Sequence, residues 1–468
     1  MWNFHYAKIV ASVWPTLAKE TVLSKIINMV DVFKISLSGW FDDNNKKYID
    51  TIMKLDNSKT IMLETKWNDI RVKNVMDLSL REKSTIALDY SEYAQEHDKK
   101  IFVDAPFLNS LPVGQLIKFQ QSNIILKIKS KKDQDVLCEV VKWGKLLQFD
   151  KVLFDKYDFG TQGISDKDKK DIEWWLEYWI HVISCSLVYS KKEILDMKAF
   201  LSSRNAEKMK VFAKIETKES LDNFDEILDT ADWLILCVDT LSELLTKKKT
   251  STESLIKKAK AVWKPVIMTF SLVFTKNKCK LINEEQIQSF SAFWVDAYML
   301  ETILQEDDAL DIITDLSDTI DKYELKFKST DVKPFYKEDD YMIRDYILFN
   351  AHRIVEEIGV KAIVSYTENG YATARLSSLN PKVPLIAFTK SDETYRYLNM
   401  LRWVKGYKIS QTFNYENLKR VWKEMIRIIF KWNISLDDKI IIVQANEIVK
   451  NEKTWMINWL ELYKFKNI

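Results

Sequence analysis

Lys214 and Glu216 stand two residues apart in the run KVFAKIE (210–216), a spacing that places both side chains on one face of an extended strand. Such a pair serves phosphate chemistry, the lysine meeting an oxyanion and the carboxylate holding a hard divalent cation. The same residue types recur where other short apolar runs end. Lys34, Ser36 and Ser38 belong to VFKISLS (32–38), and Glu64, Thr65 and Lys66 close or follow TIMLET (60–65). Asp239 follows WLILCV (233–238), Thr269 stands near the end of PVIMTF (265–270), and Glu301 and Thr302 end DAYMLET (296–302). Any one of these taken alone fits a solvated rim residue better than a site residue. Their concentration at strand ends is what points to metal-assisted work on a phosphorylated anion.

The elements that must position them are β/α units. Eight short β-branched runs alternate with helical patterns: YAKIVASV (6–13), VFKISLS, TIMLET, HVISCSLV (181–188), KVFAKIE, WLILCV, PVIMTF and DAYMLET. Eight such strands predict an α/β fold built on a closed (β/α)8 barrel, whose chemistry belongs at the carboxyl ends of the strands. One interval is long. Between Arg71 and about residue 165 lie short alternating segments such as IKFQQSNIILKIKSKKDQDVLCEVV (117–141), an all-β insertion. After the eighth strand come a helix, a linker near Lys333–Pro334, and an α/β region with strands at KAIVSYT (361–367), VPLIAFT (383–389) and KIIIVQA (439–445). The expected boundaries are 1–71 and 165–330 for the barrel, 72–164 for the insertion and 331–468 for the C-terminal domain.

Composition narrows the class. Lys and Arg total 70 against 68 Asp and Glu, which leaves no electrostatic footprint for nucleic acid or an anionic membrane surface. No basic-then-apolar leader opens the chain, and the most apolar stretch, 174–189, is interrupted by Glu177 and His181, so a cytoplasmic location is expected. Cys138, Cys185, Cys237 and Cys279 are far apart, and the four histidines are scattered, which disfavours a disulfide framework or a zinc site. One ratio is abnormal: 8 glycines against 16 tryptophans in 468 residues, where about 7% glycine is usual.

Over nearly its whole length the chain resembles pyruvate kinase. FAKIETKESLDNFDEIL (212–228) is close to that family's ISKIENQEGLDNFDEIL, the most specific match. AKIVASVWPT (7–16) is similar to TKIVATIGPA, VFKISLSGW (32–40) to VARLNFSHG, and MLETKWNDIR (62–71) to LLDTKGPEIR. ISDKDKKDIEWWLEYWIHVISCSLV (164–188) and SYTENGYATARLSSLNPKVPLIAFT (365–389) continue the likeness in order. The resemblance implies a catalytic barrel, an inserted small β-barrel that acts as a lid, and a C-terminal α/β domain. It also bears on the glycine deficit. Trp14, Trp40, Trp67, Trp175, Trp179, Trp233, Trp263, Trp294, Trp403, Trp432 and Trp455 fall where the family typically carries glycine. The expectation is that UGA codons specify glycine in the source and have been read as tryptophan; the alternative is a divergent, tryptophan-rich protein.

The resemblance further implies phosphoryl transfer from phosphoenolpyruvate to ADP, giving pyruvate and ATP in glycolysis, with Mg²⁺ (or Mn²⁺) and K⁺ as cofactors and a homotetramer as the assembly. Lys214 and Thr269 would be catalytic, and Lys34 with Lys214 would bind the substrate phosphate. Arg71 and Lys167 fall at nucleotide-contacting positions. Glu216 and Asp239 would hold Mg²⁺, while Ser36, Ser38, Glu64 and Thr65 fall at the potassium site. Several positions depart from the family pattern. Lys34 replaces an arginine and so lacks the bidentate fork. Ser36 replaces an asparagine, Glu64 an aspartate, and Gln120 and Gln121 a pair of aspartates. VARGDLG has become LCVDTLS (236–242), so that Asp239 takes the metal position if one residue is deleted, and Thr240 takes it if none is. The threonine after strand seven is Thr269, or Phe270 without a gap, and no P-T-R-A-E element stands between Lys278 and Glu285. Two readings follow: an active enzyme, favoured by the intact Lys214 and Glu216, and a catalytically weak or inactive relative with a binding or regulatory role. Thr367, Asn369 and Gly370 resemble an effector-phosphate loop and fit an ordinary strand-to-helix turn equally well.

Overall fold

The computed structural model describes residues 7–467 other than 14–18, 38–41, 67–69, 74–77, 91–99, 104, 106, 121, 133–134, 148–149, 155–163, 179, 270–271, 275–279, 302–305, 325–341, 410–422, 428–433 and 451–452. Ser38, Thr302, Phe270, Gln121 and the 333–334 linker therefore lie outside the described residues.

All eight expected runs form parallel strands: Lys8–Ser12, Val32–Ser36, Thr60–Glu64, Val182–Cys185, Lys210–Ile215, Trp233–Leu236, Val266–Thr269 and Ala297–Leu300. The first pairs with both the second and the eighth, which closes the ring. Nearly every strand residue is buried, as expected for strands covered on both faces. Closure removes sheet edges but leaves backbone groups at the amino ends to be satisfied. A repeated device does this. The residue just before each even-numbered strand accepts an N–H from the preceding odd-numbered strand: Ile9 donates to Asp31 Oδ2 (2.9 Å), Ile61 to His181 Nδ1 (2.9 Å), Val211 to Asp232 Oδ2 (2.8 Å) and Val266 to Asp296 Oδ2 (2.7 Å). Lysines face the three carboxylates: Lys8 lies 3.7 Å from Asp31, Lys198 lies 3.3 Å from Asp232, and Lys260 pairs with Asp296. At His181 the acceptor is a neutral imidazole nitrogen, and burial together with the Arg396 charge holds its pKa well below the ordinary 6.5.

The chain divides into two compact units. One comprises 36–41 and 65–171; the other holds the rest. The smaller unit contains a six-stranded sheet in the order Val152–Phe154, Leu116–Phe119, Ile125–Lys132, Asp135–Lys142, Thr85–Asp89, Lys100–Phe102. Only its last pair is parallel. A two-stranded ladder, Leu78–Leu80 with Gly144–Leu146, and bridges at Arg71–Lys151 and Val72–Val103 complete it around one apolar core.

In the larger unit the C-terminal region forms a five-stranded sheet in the order Val404–Lys408, Leu385–Thr389, Ala362–Tyr366, Lys439–Lys450, Lys453–Lys464, with only the last pair antiparallel. Its helices share an apolar core with the barrel. Buried arginines join the two. Arg402 donates from Nε to Asn380 Oδ1 (3.0 Å) and from Nη1 to Val295 O (3.1 Å), and it pairs with the fully buried Glu324. Arg396 Nη1 donates to Lys59 O (2.9 Å), while Thr60 Oγ1 donates to Arg396 O (2.8 Å).

Of the eleven tryptophans singled out above, Trp14, Trp40, Trp67, Trp179 and Trp432 lie outside the described residues, and the five whose side chains are described divide into two groups. Trp175 and Trp233 are ordinary core aromatics, Trp233 stacking on Phe212 with centroids 4.9 Å apart. Trp263, Trp294 and Trp403 instead adopt left-handed backbone, with φ of 63°, 54° and 61°. At Trp263 the surrounding bonds are those of a Schellman helix end. Trp263 N–H donates to Lys260 O (3.0 Å) and Lys264 N–H to Ala259 O (2.9 Å) after the helix Thr252–Ala261, which puts tryptophan where glycine is the usual residue. The helix Met342–Ile358 is followed directly by a true glycine, Gly359, at φ 70°. A left-handed Cβ costs roughly 1–2 kcal/mol. The buried indole N–H groups of Trp263 and Trp294 also find no hydrogen-bond partner among the described residues. Three separate helix or turn geometries thus ask for glycine at positions written as tryptophan.

Intact-mass analysis of the protein from its own cells checks the codon reading. Glycine at the eleven positions makes the chain lighter than 55.3 kDa by one tryptophan-to-glycine difference for each, whereas tryptophan leaves the mass unchanged. A second expectation concerns His181. The unfolded chain binds a proton there below about pH 6.5 and the folded chain does not, so this contribution is present above that pH and is lost as the pH falls further. Melting temperature should drop between pH 7 and 5, and His181→Asn, which keeps an acceptor but cannot titrate, should flatten that part of the drop.

Candidate active site at the carboxyl end of the barrel

The second, third, fifth and eighth strands bring five charged side chains together. Lys34 lies within its strand, Glu64 ends the next, Lys214 stands in the fifth strand with Glu216 just beyond its end, and Glu301 follows the eighth directly. Lys34 Nζ lies 3.0 Å from Glu64 Oε2, and Lys214 Nζ lies 3.0 Å from Glu64 Oε1. Both ammonium groups also reach Glu301 Oε1, Lys214 at 2.8 Å and Lys34 at 3.2 Å. Glu216 Oε1 is 3.9 Å from Lys214 Nζ. Two lysines and two glutamates form a closed ring, with Glu216 at its side. Lys34, Lys214, Glu64 and Glu216 have side chains no more than 5% exposed, while Glu301 is 33% exposed.

Charge explains why these groups tolerate burial. Burial alone pulls the Lys214 ammonium pKa down, but Glu216, Glu301 and Glu64 outweigh it and hold the pKa well above 10.5. Burial pushes the Glu64 carboxyl up, and Lys214 and Lys34 outweigh that in turn, leaving it below the ordinary value. Glu216 is further fixed by the Leu187 N–H, which donates to Oε1 at 2.9 Å. Leu187 achieves this at φ 48°, a costly backbone for a bulky side chain, so local strain is spent on aiming an N–H at the carboxylate.

The other expected residues are placed as follows. Thr269 ends the seventh strand, buried; its Oγ1 accepts from Val238 N–H (3.1 Å) and lies 3.4 Å from Leu236 O. Asp239 is exposed in the first turn of the helix Val238–Lys248, and Thr240 Oγ1 donates to Cys237 O (3.0 Å). Ser36 ends the second strand, half-buried, and Thr65 is buried just after the third. In the smaller unit Arg71 forms its bridge with Lys151, and Lys167 stands in the first turn of the helix Asp166–Leu176, paired with Asp171. Among the described residues no three of His, Cys, Asp or Glu gather as a metal cluster. The hard oxygens of Glu216 and Asp239 suit magnesium, which is commonly held by one or two carboxylates, with water and substrate oxygens completing its shell. Glu64 fits potassium poorly, since each of its carboxylate oxygens already carries an ammonium group.

A family model for the barrel domain of pyruvate kinase matches residues 4–277, and one for its alpha/beta domain matches 345–458. The chain belongs to the pyruvate kinase family. Pyruvate kinases of Staphylococcus aureus strains MRSA252, USA300 and NCTC 8325 are each 24% identical over 416 residues, spanning 84% of this chain and 70% of theirs. Membership accounts for the barrel with its β insertion and the α/β region. No helix among the described residues is long and apolar enough to cross a membrane.

One contributor escapes sequence reasoning, and the role of a second is hidden. Leu187 acts through a backbone N–H, for which its side chain gives no signal. Glu301 is visible as a strand-end carboxylate, but its hold on both lysines depends on barrel closure. Breaking the ring tests its energetics: Glu64→Gln leaves two buried ammonium groups undercompensated and should cost about 3–5 kcal/mol, read by denaturant unfolding.

Proposed function

We propose that this chain is a working pyruvate kinase. The observation that carries the reading is the convergence of Lys34 and Lys214 on a single oxygen, Glu301 Oε1. Two ammonium groups so placed can hold one oxygen of a phosphoryl group. In the reaction, the bond between phosphorus and the enol oxygen of phosphoenolpyruvate breaks. A bond from phosphorus to a β-phosphate oxygen of ADP forms, and the released enolate takes a proton at carbon to become pyruvate. Lys214 stabilises charge on the transferring group, and Lys34 anchors the phosphate as a point charge. Glu216 and Asp239 are the residues to hold Mg²⁺ or Mn²⁺, which supplies charge neutralisation on the phosphoryl oxygens. Arg71 and Lys167 are assigned to the nucleotide. Ser36, Ser38 and Thr65 are assigned to K⁺, and Glu64 is withdrawn from that set because both of its oxygens already carry an ammonium group. The family's homotetramer and a cytoplasmic location complete the reading.

A second reading, a relative that binds ligand without turnover, is favoured by Thr269. Its hydroxyl is tied into the backbone at Val238 and Leu236, which takes it away from service to a substrate.

The test is ATP formation from phosphoenolpyruvate and ADP, with Mg²⁺ and with or without K⁺, using the chain carrying glycine at the eleven tryptophan positions. Turnover should appear and fall by about a thousandfold or more in Lys214→Met. No turnover from the folded protein would favour the second reading. Glu216→Ala should abolish Mn²⁺ binding followed by electron paramagnetic resonance.

A further inference from the structure

Glu301 differs from the other members of the ring in two respects. Its side chain is a third exposed, where its partners are almost wholly buried. It also offers one oxygen to both lysines, whereas Glu64 divides them between two. A single anionic oxygen bridging two ammonium groups is the arrangement a phosphoryl oxygen needs there. Two anionic oxygens cannot share that point, so carboxylate and substrate oxygen exclude each other.

We infer that Glu301 is an internal stand-in for the substrate's phosphoryl oxygen, one that must swing aside when substrate binds and thereby sets its affinity. The inference rests on the phosphoryl-binding reading above. Charge favours displacement over addition. Lys34 and Lys214 supply two positive charges against three negative ones from Glu64, Glu216 and Glu301, and a phosphoryl anion added to that set meets net repulsion. With Glu301 withdrawn, two lysines face two buried carboxylates and a gap at the bridging point. Glu301 is the carboxylate able to leave. It stands after the eighth strand (Ala297–Leu300), outside the ladder, and part of its side chain already reaches solvent. Glu64 ends a strand and is enclosed, and Glu216 is fixed by the Leu187 N–H. In the substrate-free protein Glu301 keeps both ammonium groups in position and compensated, so it is a positioning residue with an affinity cost.

The probe is inorganic phosphate, with phosphoenolpyruvate beside it, titrated calorimetrically without ADP into the full chain and into Glu301→Gln. The amide keeps the shape and removes the competing charge. Phosphate should bind at least about fivefold more tightly to Glu301→Gln, the scale of one charge-assisted contact no longer competing, even though the variant melts lower. A purely structural ion pair would give unchanged or weaker binding, and that result in a folded variant overturns the inference. If Glu301→Gln does not fold, Glu301→Asp, which withdraws the carboxylate by one methylene, takes its place with the same criterion. Turnover in the kinase assay without tighter phosphate binding defeats this inference alone. Tighter binding without turnover supports it and defeats only the proposed enzyme.

Discussion

A closed parallel barrel buries its strands on both faces, and every charged or polar group carried inside it must find a partner there. That constraint organises both ends of this molecule. At the amino end it is met by backbone. Asp31, His181, Asp232 and Asp296, each one residue ahead of an even-numbered strand, accept N–H groups from the neighbouring odd strand. At the carboxyl end it is met by side chains, with Lys34, Lys214, Glu64 and Glu301 compensating one another in a ring. The first set leaves nothing to react. The second concentrates opposite charges at the strand ends, where each group is held by its neighbours.

The same economy governs the join between the barrel's amino end and the C-terminal region. Arg402 and Arg396 are nearly inaccessible, yet they satisfy backbone carbonyls on barrel elements, and Arg402 also takes up the buried Glu324. Burial raises the Glu324 carboxyl pKa and Arg402 works against the rise, so the pair is worth most as a register that admits one docking geometry. The carboxyl end is thereby left to the strand termini and the loops after them.

Much of this was legible in the sequence because it depends on local pattern. Eight β-branched runs at regular spacing announce a parallel barrel, and period-two placement puts Lys214 and Glu216 on one face. What was hidden depends on closure or on backbone. The strands Val404–Lys408 and Lys453–Lys464 escaped notice: VKGYK carries a glycine and two lysines, and the last strand is mixed in polarity. His181 read as a scattered histidine because its role as a strand-start acceptor appears only beside Asp31, Asp232 and Asp296. Asp239 read as a strand-end carboxylate, yet the helix Val238–Lys248 begins so soon after its strand that the side chain stands exposed in the first helical turn. Glu301 needed the ring to close before its bridging position existed.

The left-handed tryptophans and the charge ring bear on each other through where strain sits. Trp263, Trp294 and Trp403 occupy left-handed positions away from the carboxyl-end cluster, at helix ends or turns leading into strands of the barrel and the C-terminal sheet. Leu187 is also left-handed, but it lies beside Glu216 and its N–H is used there. Strain that aims a donor at a site carboxylate has a chemical return. Strain at three tryptophans, two of them with buried indole N–H groups that find no partner among the described residues, has none in this structure. The contrast separates a left-handed residue whose N–H is used at the site from left-handed residues in a conformation that glycine adopts more readily than tryptophan.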